Sequence, residues 1–333
     1  MKRLLVVCLV AFAGGFADAE GLLSSWNDGT AKRAIVDFVT QSTREGTQSY
    51  VWPNDRIAVF DNDGTLWPEQ PIYIQFQFAL DRINKLAPQH PEWQTQEPFK
   101  SVLAGDNKAF LAGGYKSLIM ALAIAHAGLT SDEYRAVIKN WLKTAKHPKT
   151  GLLYTQMVYV PMLELLSYLR SNGFRTFIVS GGGTEFMRAF AEETYGIPPD
   201  QVIGSSAKVK YEVRNGMPVL VKLPDVAVVN DNEDKVVRIQ TAIGRRPIAA
   251  FGNSDGDQQM LEWTSYVPGS GTGSRAPRLA MLIHHDDAAR EWAYDRKSDI
   301  GKLDKALDEA PTKGWIVVSM RNDWRIIFGT KAD

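Results

Sequence analysis

The chain carries a single cysteine, Cys8, and it falls inside an N-terminal apolar stretch. A mature protein cut after that stretch holds no thiol, which excludes disulfides, thiolate metal sites and a cysteine nucleophile together. An excess of one charge sign is equally missing: 38 Lys and Arg face 38 Asp and Glu, without a long single-sign run. A surface that tracks nucleic-acid phosphates is therefore not expected, and a small substrate is favoured over a polymer. Past the N-terminus there is no apolar run of membrane-spanning length, and no repeat or low-complexity tract stands out.

What is present begins with an address. Lys2 and Arg3, the apolar run from Leu4 to Phe16 and the small-x-small site Ala17-Asp18-Ala19 read as a signal peptide over residues 1–19. The mature chain is expected to start at Glu20, without a transmembrane helix once the leader is removed. Export without disulfides fits a periplasmic or secreted protein.

The 333 residues, 44% of them hydrophobic, suffice for one large core with a smaller companion. Ile35, Phe38 and Val39 mark a leading helix from Ser24 to Thr43. The apolar run Arg56 to Phe60 reads as a buried strand that stops at Asp61-Asn62-Asp63-Gly64-Thr65. From Ile72 to about Lys146 the periodicity is helical, broken by Pro88, Pro91, Pro98 and Gly113-Gly114. A helix from Val160 to Arg170 feeds a strand from Phe174 to Val179 that ends at Ser180-Gly181-Gly182-Gly183, and a further helix is expected from Thr184 to Glu193. Asn215-Gly216 signals a hairpin over Lys208 to Lys222. A helix from Lys235 to Ile243 and strands Ile248 to Phe251, Leu279 to Ile283, Trp315 to Met320 and Trp324 to Phe328 complete the chain. Such alternation predicts an α/β fold with a doubly wound, mainly parallel sheet and a helical insertion.

Three strands thus end in small or acidic loops: Asp61 to Thr65, Ser180 to Gly183, and Gly252-Asn253-Ser254-Asp255-Gly256-Asp257. In an open parallel sheet the carboxyl ends of strands share one crevice, so these loops can meet. Two carboxylates two residues apart repel unless a cation or a shared proton compensates, and an oxygen-rich site of this kind suits Mg2+. A carboxylate can attack phosphorus, while a second can protonate the departing oxygen and then deprotonate water.

Asp61-Asn62-Asp63-Gly64-Thr65 after an apolar strand resembles the Asp-x-Asp-Gly-Thr signature of haloacid dehalogenase-like phosphatases, in their phosphoserine-phosphatase-like branch. The resemblance runs from about Arg56 to Ile283 through four motifs in order. It implies Asp61 as nucleophile and Asp63 as general acid/base, with Mg2+ held by the Asp61 carboxylate and the Asp63 carbonyl. By the same match Thr65, Gly181 and Gly182 shape the phosphate-binding loops, the Ser180 hydroxyl bonds the phosphoryl oxygens, and Lys235 balances charge, with Lys208 and Lys222 as alternatives. In the fourth motif Asn253 stands where a metal-binding Asp is expected; Asp257 matches the second Asp and Asp255 is in reserve. An Asn carbonyl ligates Mg2+ without bringing charge. Asp63 argues against carbon–halogen cleavage, because the dehalogenase branch lacks it.

The family core is then expected over 20–70 and 160–333, with a helical cap over 71–159 that closes on the pocket. Trp67, Pro68 and Glu69 either line its entrance or pack between domain and cap, and His284-His285-Asp286-Asp287 reads as a polar strand end at or near the crevice rim in preference to a separate transition-metal site. The implied activity is Mg2+-dependent hydrolysis of a small phosphorylated metabolite through a phosphorylated Asp61. Phosphotransfer, pyrophosphate cleavage, or binding of a phosphate ligand with weakened catalysis are the alternatives.

Overall fold

The computed structural model describes residues 23–267 and 276–329, together with Gly21. The expected leader, Cys8 included, lies outside the described residues.

Strand β1 (Ile57–Phe60) is buried on both faces, as a run of four apolar residues without alternation requires of a parallel interior strand. Ala58 and Phe60 join one hydrophobic layer and Ile57 and Val59 the other. Around it lie β2 (Arg175–Gly183), β3 (Val202–Arg214), β4 (Met217–Val228), β5 (Ala249–Gly252), β6 (Leu279–Asp286), β7 (Ala293–Tyr294) and β8 (Ile316–Ser319). The order is β4-β3-β2-β1-β5-β6-β7, with β8 also on β6. Pairs β1/β2, β1/β5, β2/β3, β5/β6 and β6/β8 are parallel. With apolar layers on both faces, this is a doubly wound α/β sheet.

The chain leaves β1 for a helical stretch before returning to β2. It holds α2 (Ile74–Leu86), α3 (Phe99–Leu103), α4 (Asn107–Ala112), α5 (Gly114–Ala125) and α6 (Ser131–Leu142), after a leading α1 (Thr30–Thr43). Pro88 and Pro91 sit in short 3-10 turns that end α2, and Thr130 and Glu133 cap α6 reciprocally. Helix α7 (Val160–Ser171) then leads into β2. In the hairpin β3/β4, longer than expected at both ends, Asn215 and Gly216 take φ of 52° and 77°, the left-handed pair of a tight two-residue turn.

Three expectations are corrected. The leading helix begins at Thr30, not Ser24, because the Ser25 amide and hydroxyl both donate to Glu164 Oε2 (2.9 and 2.5 Å), which holds that segment off the helical path. The single helix from Thr184 to Glu193 is two, α8 (Thr184–Arg188) and α9 (Ala191–Tyr195); the break turns Phe190 onto Trp67, ring centroids 4.4 Å apart. Trp324 to Phe328 is not a strand but follows a short C-terminal helix and forms only single bridges, Trp324 with Trp26 and Phe328 with Tyr159. Its apolar pattern serves aromatic packing instead, Trp324 lying 5.9 Å from Trp26 and 5.3 Å from Tyr159.

Candidate active site

Sheet order places the ends of β2, β1 and β5 side by side, and each carries one of the three loops. The first turns sharply from β1: the Asp61 amide donates to the Phe251 carbonyl of β5 at 2.9 Å. Gly64 follows with φ +74°, and a Cβ there would run into the Asn253 and Glu69 side chains, so glycine is required twice over. The Thr65 hydroxyl donates to Asn253 Oδ1 at 3.0 Å, tying first loop to third. From β6, His285 Nε2 meets the Gly64 carbonyl at 2.8 Å while Nδ1 faces Glu291 at 3.1 Å, so this histidine braces the loop from beneath.

The second loop, expected after Val179, is instead the irregular end of β2 itself, where the register shifts between Val179 and Gly183; there Ser180 is fully buried and its Oγ accepts the Gly182 amide at 3.1 Å. Asn230 and Ser205 hold the carbonyls of Ser180 and Gly181 at 2.9 and 2.7 Å. Gly181 lies under the ring of Tyr115, where a Cβ would stand 2.6 Å from the ring carbons. A Cβ on Gly182 would stand 3.5 Å from Asp63 Oδ2, which sets this loop directly against the first.

Lys235, in the first turn of α10 (Glu233–Ile243), joins the acidic loops. Its Nζ lies 3.0 Å from Asp61 Oδ1 and 2.6 Å from Asp257 Oδ1. Asp257 Oδ2 accepts the amides of Asn253 and Ser254 at 3.0 and 3.1 Å. Of the alternative lysines, Lys208 is exposed on the hairpin and Lys222 lies over the Tyr134 ring; neither meets Asp61. Asp255, the reserve for the metal shell, turns away: its Oδ1 accepts the amides of Asp304 and Ala306 at 2.9 and 3.0 Å, at the start of the helix Lys305–Lys313.

Sequence reasoning did not find the side chains that the helical stretch contributes. Tyr115 of α5 donates to Asp63 Oδ2 at 3.2 Å, opposite Trp67, whose Nε1 donates to Oδ1 at 2.8 Å. Gln75 of α2 accepts the Gly183 amide at 2.6 Å. Glu69, placed at the entrance by its position alone, is buried and accepts from Asn253 Nδ2 (2.7 Å) and the Tyr294 hydroxyl (2.8 Å). Helical periodicity reveals which face is buried, not what that face meets. A cavity of about 820 Å³ opens over the site, lined among others by Asp61, Glu69, Tyr73, Tyr115, Gly181 and Lys235.

Negative charge outweighs positive here. Burial, then the charge of Asp257, pushes the Asp61 carboxyl up to about 8 against the pull of Lys235. Burial likewise raises Asp63, although Trp67 and Tyr115 donate to it, and raises Glu69 well above the usual range. Burial opposes the Lys235 ammonium, yet the charges of Asp257, Asp61 and Asp231 hold it above its ordinary value. Among the described residues no three His, Cys, Asp or Glu side chains form a ready metal cluster. The donors present are all oxygens, and Asp61 Oδ2 keeps no hydrogen-bond partner among the described residues, a chemistry that fits a hard divalent cation.

Fold and site together define a doubly wound α/β protein whose carboxylates and one lysine converge at the strand ends. The chain belongs to the haloacid dehalogenase-like hydrolases: that family's model matches residues 58–262. Among solved structures, a conserved protein of unknown function from Anaerococcus prevotii is 15% identical, with 85% of this chain and 88% of that chain covered and a TM-score of 0.52, which shows the shared fold. A protein of unknown function from Bordetella pertussis is 15% identical over 79% of this chain and 97% of that one, TM-score 0.49. A phosphoserine phosphohydrolase-like protein from Francisella tularensis is 17% identical over 77% and 98%, TM-score 0.39. Comparison with curated proteins gives no match.

Proposed function

We propose that this hydrolase cleaves small phosphate monoesters with Mg2+, by way of an aspartyl-phosphate on Asp61. The observation that carries the reading is the Asp61–Lys235–Asp257 link, at 3.0 and 2.6 Å, beneath a cavity onto which Asp61 opens. Asp61 Oδ2 attacks phosphorus as the bond to the leaving oxygen breaks, and Asp63, raised by burial, gives that oxygen its proton. Water then attacks the phosphorus of the aspartyl-phosphate, Asp63 takes a proton from that water, and inorganic phosphate departs as its bond to Asp61 Oδ2 breaks. The Ser180 hydroxyl and the amides beside it hold the equatorial oxygens, and Lys235 offsets charge at the nucleophile. Mg2+ would be held by the Asp61 carboxylate, the Asp63 carbonyl, Asn253 Oδ1 and Asp257, and when bound it supplies the positive charge these residues lack. Localisation in the periplasm or outside the cell rests on the leader sequence.

The purified protein should release phosphate from an aryl phosphate only with Mg2+, and Asp61→Asn should abolish release without altering the circular dichroism spectrum. Full turnover in that variant rejects the mechanism. A second reading, ligand binding with little turnover, is favoured by Asn253, whose amide is tied at both ends to Thr65 and Glu69. Calorimetric binding of the phosphate ester without hydrolysis at saturating Mg2+ would select it.

A further inference from the structure

A second cavity of about 320 Å³ lies behind the phosphate loop, between α5 and α6 on one side and the base of the β3/β4 hairpin with α8 on the other. It shares no lining residue with the first. Gln75 and Gly183, which line it, are joined by the 2.6 Å bond from the Gly183 amide to Gln75 Oε1.

Lys222 projects into this cavity from β4 and is only 5% exposed. Its backbone is fixed by exchange with the loop after α5, Lys222 N–H to the Leu129 carbonyl at 2.9 Å and Gly128 N–H to the Lys222 carbonyl at 3.0 Å. The ammonium stands 4.3 Å from the centroid of the Tyr134 ring and has no carboxylate or carbonyl partner among the described residues. Burial depresses its proton affinity, with Glu185 the opposing charge. Glu185, however, is engaged by Arg188 at 3.3 Å and Arg135 at 3.5 Å. Arg238, on the same wall, has a buried Nε without a partner among the described residues. The wall therefore carries three cations, Lys222, Arg188 and Arg238, against one carboxylate already paired twice. A cation–π contact offsets only part of what burying an ammonium costs. The hydroxyls of Ser131, Thr184 and Ser206 line the same space and supply neutral donors.

We propose that this cavity is a second anion site that takes a phosphate group on Lys222 and Arg238, apart from the candidate catalytic centre. Charge and donors match a tetrahedral oxyanion, carried either by free inorganic phosphate or by a small organic molecule. The proposal stands on the cavity and not on the catalytic reading.

The test is isothermal titration of the native protein with inorganic phosphate and, separately, with phenylphosphonate, which bears the same head on an organic body and has no ester bond to cleave. The native protein should show two binding events with at least one of these probes; preference between them identifies free or carried phosphate. Lys222→Met should weaken one event at least tenfold, melt no lower than the native protein and keep the KM for an aryl phosphate, while Lys222→Arg restores binding. Asp61→Asn should leave the Lys222-dependent event in place, so failure of the catalytic reading leaves this result readable. Should Lys222→Met fail to fold, Ser206→Asp, which puts a carboxylate beside the ammonium, should abolish the same event. A single binding event in the native protein, or two events unchanged in Lys222→Met or in a folded Ser206→Asp, overturns the proposal.

Discussion

Lys235 Nζ sits between Asp61 and Asp257 where hardly any water reaches: its side chain is 3% exposed and that of Asp257 is 0%. Its removal strands two buried carboxylates, so Lys235→Met should destabilise the protein by about 3–5 kcal/mol, read from urea unfolding, besides removing turnover. Tyr115 is a different case. Tyr115→Phe keeps the ring over Gly181 and loses only the hydroxyl on Asp63, so melting should stay near native while kcat falls about tenfold at nearly constant KM. The two residues also mark how far the sequence could be read. Lys235, Asp61, Ser180 and Asp257 stand beside strand ends, where sheet geometry forces convergence. Tyr115, Gln75 and Glu69 come from segments whose pairing partner depends on how the helices fold back, and Asp255 has the right chemistry but is drawn off by helix-capping amides.

At the scale of the element, α5 ends on His126, buried in a neutral state. Its Nδ1 meets the Leu122 carbonyl at 2.9 Å and its Nε2 accepts from Arg82 at 3.1 Å, so a second proton has nowhere to bond. Burial first, then the charges of Arg82 and Lys222, lowers it from 6.5 to about 4. The unfolded chain therefore takes up this proton before the folded one. Stability should be unaffected above pH 6.5 and fall as pH drops toward 4, by about 3 kcal/mol from this group. Urea midpoints across that window should fall less steeply in His126→Gln than in the native protein. Elements were legible where local chemistry decides: Asn215-Gly216 fixed a hairpin by backbone preference. Trp324 to Phe328 misled because a run of apolar residues fits a strand and a nest of aromatic rings equally well.

For the molecule as a whole, four acidic side chains, Asp61, Asp63, Glu69 and Asp257, surround one ammonium in the fold's central crevice, and unfolding relieves their repulsion. A cation bound only by the folded state should offset it: Mg2+ at a hundredfold its Kd adds about 2.7 kcal/mol, seen as a rise in melting temperature that shrinks in Asp61→Asn. The alternation of strands and helices announced the sheet, since crossover geometry leaves few ways to bury both faces. The bonds that join helices to loops have a final consequence. Tyr115 and Gln75 reach Asp63 and Gly183 from α5 and α2, so any ligand bulky enough to wedge those helices outward also unseats Asp63 and frees the Gly183 amide. On the proposed mechanism such a molecule would lodge in the crevice uncleaved, turned away by displacement of Asp63 instead of by a wall.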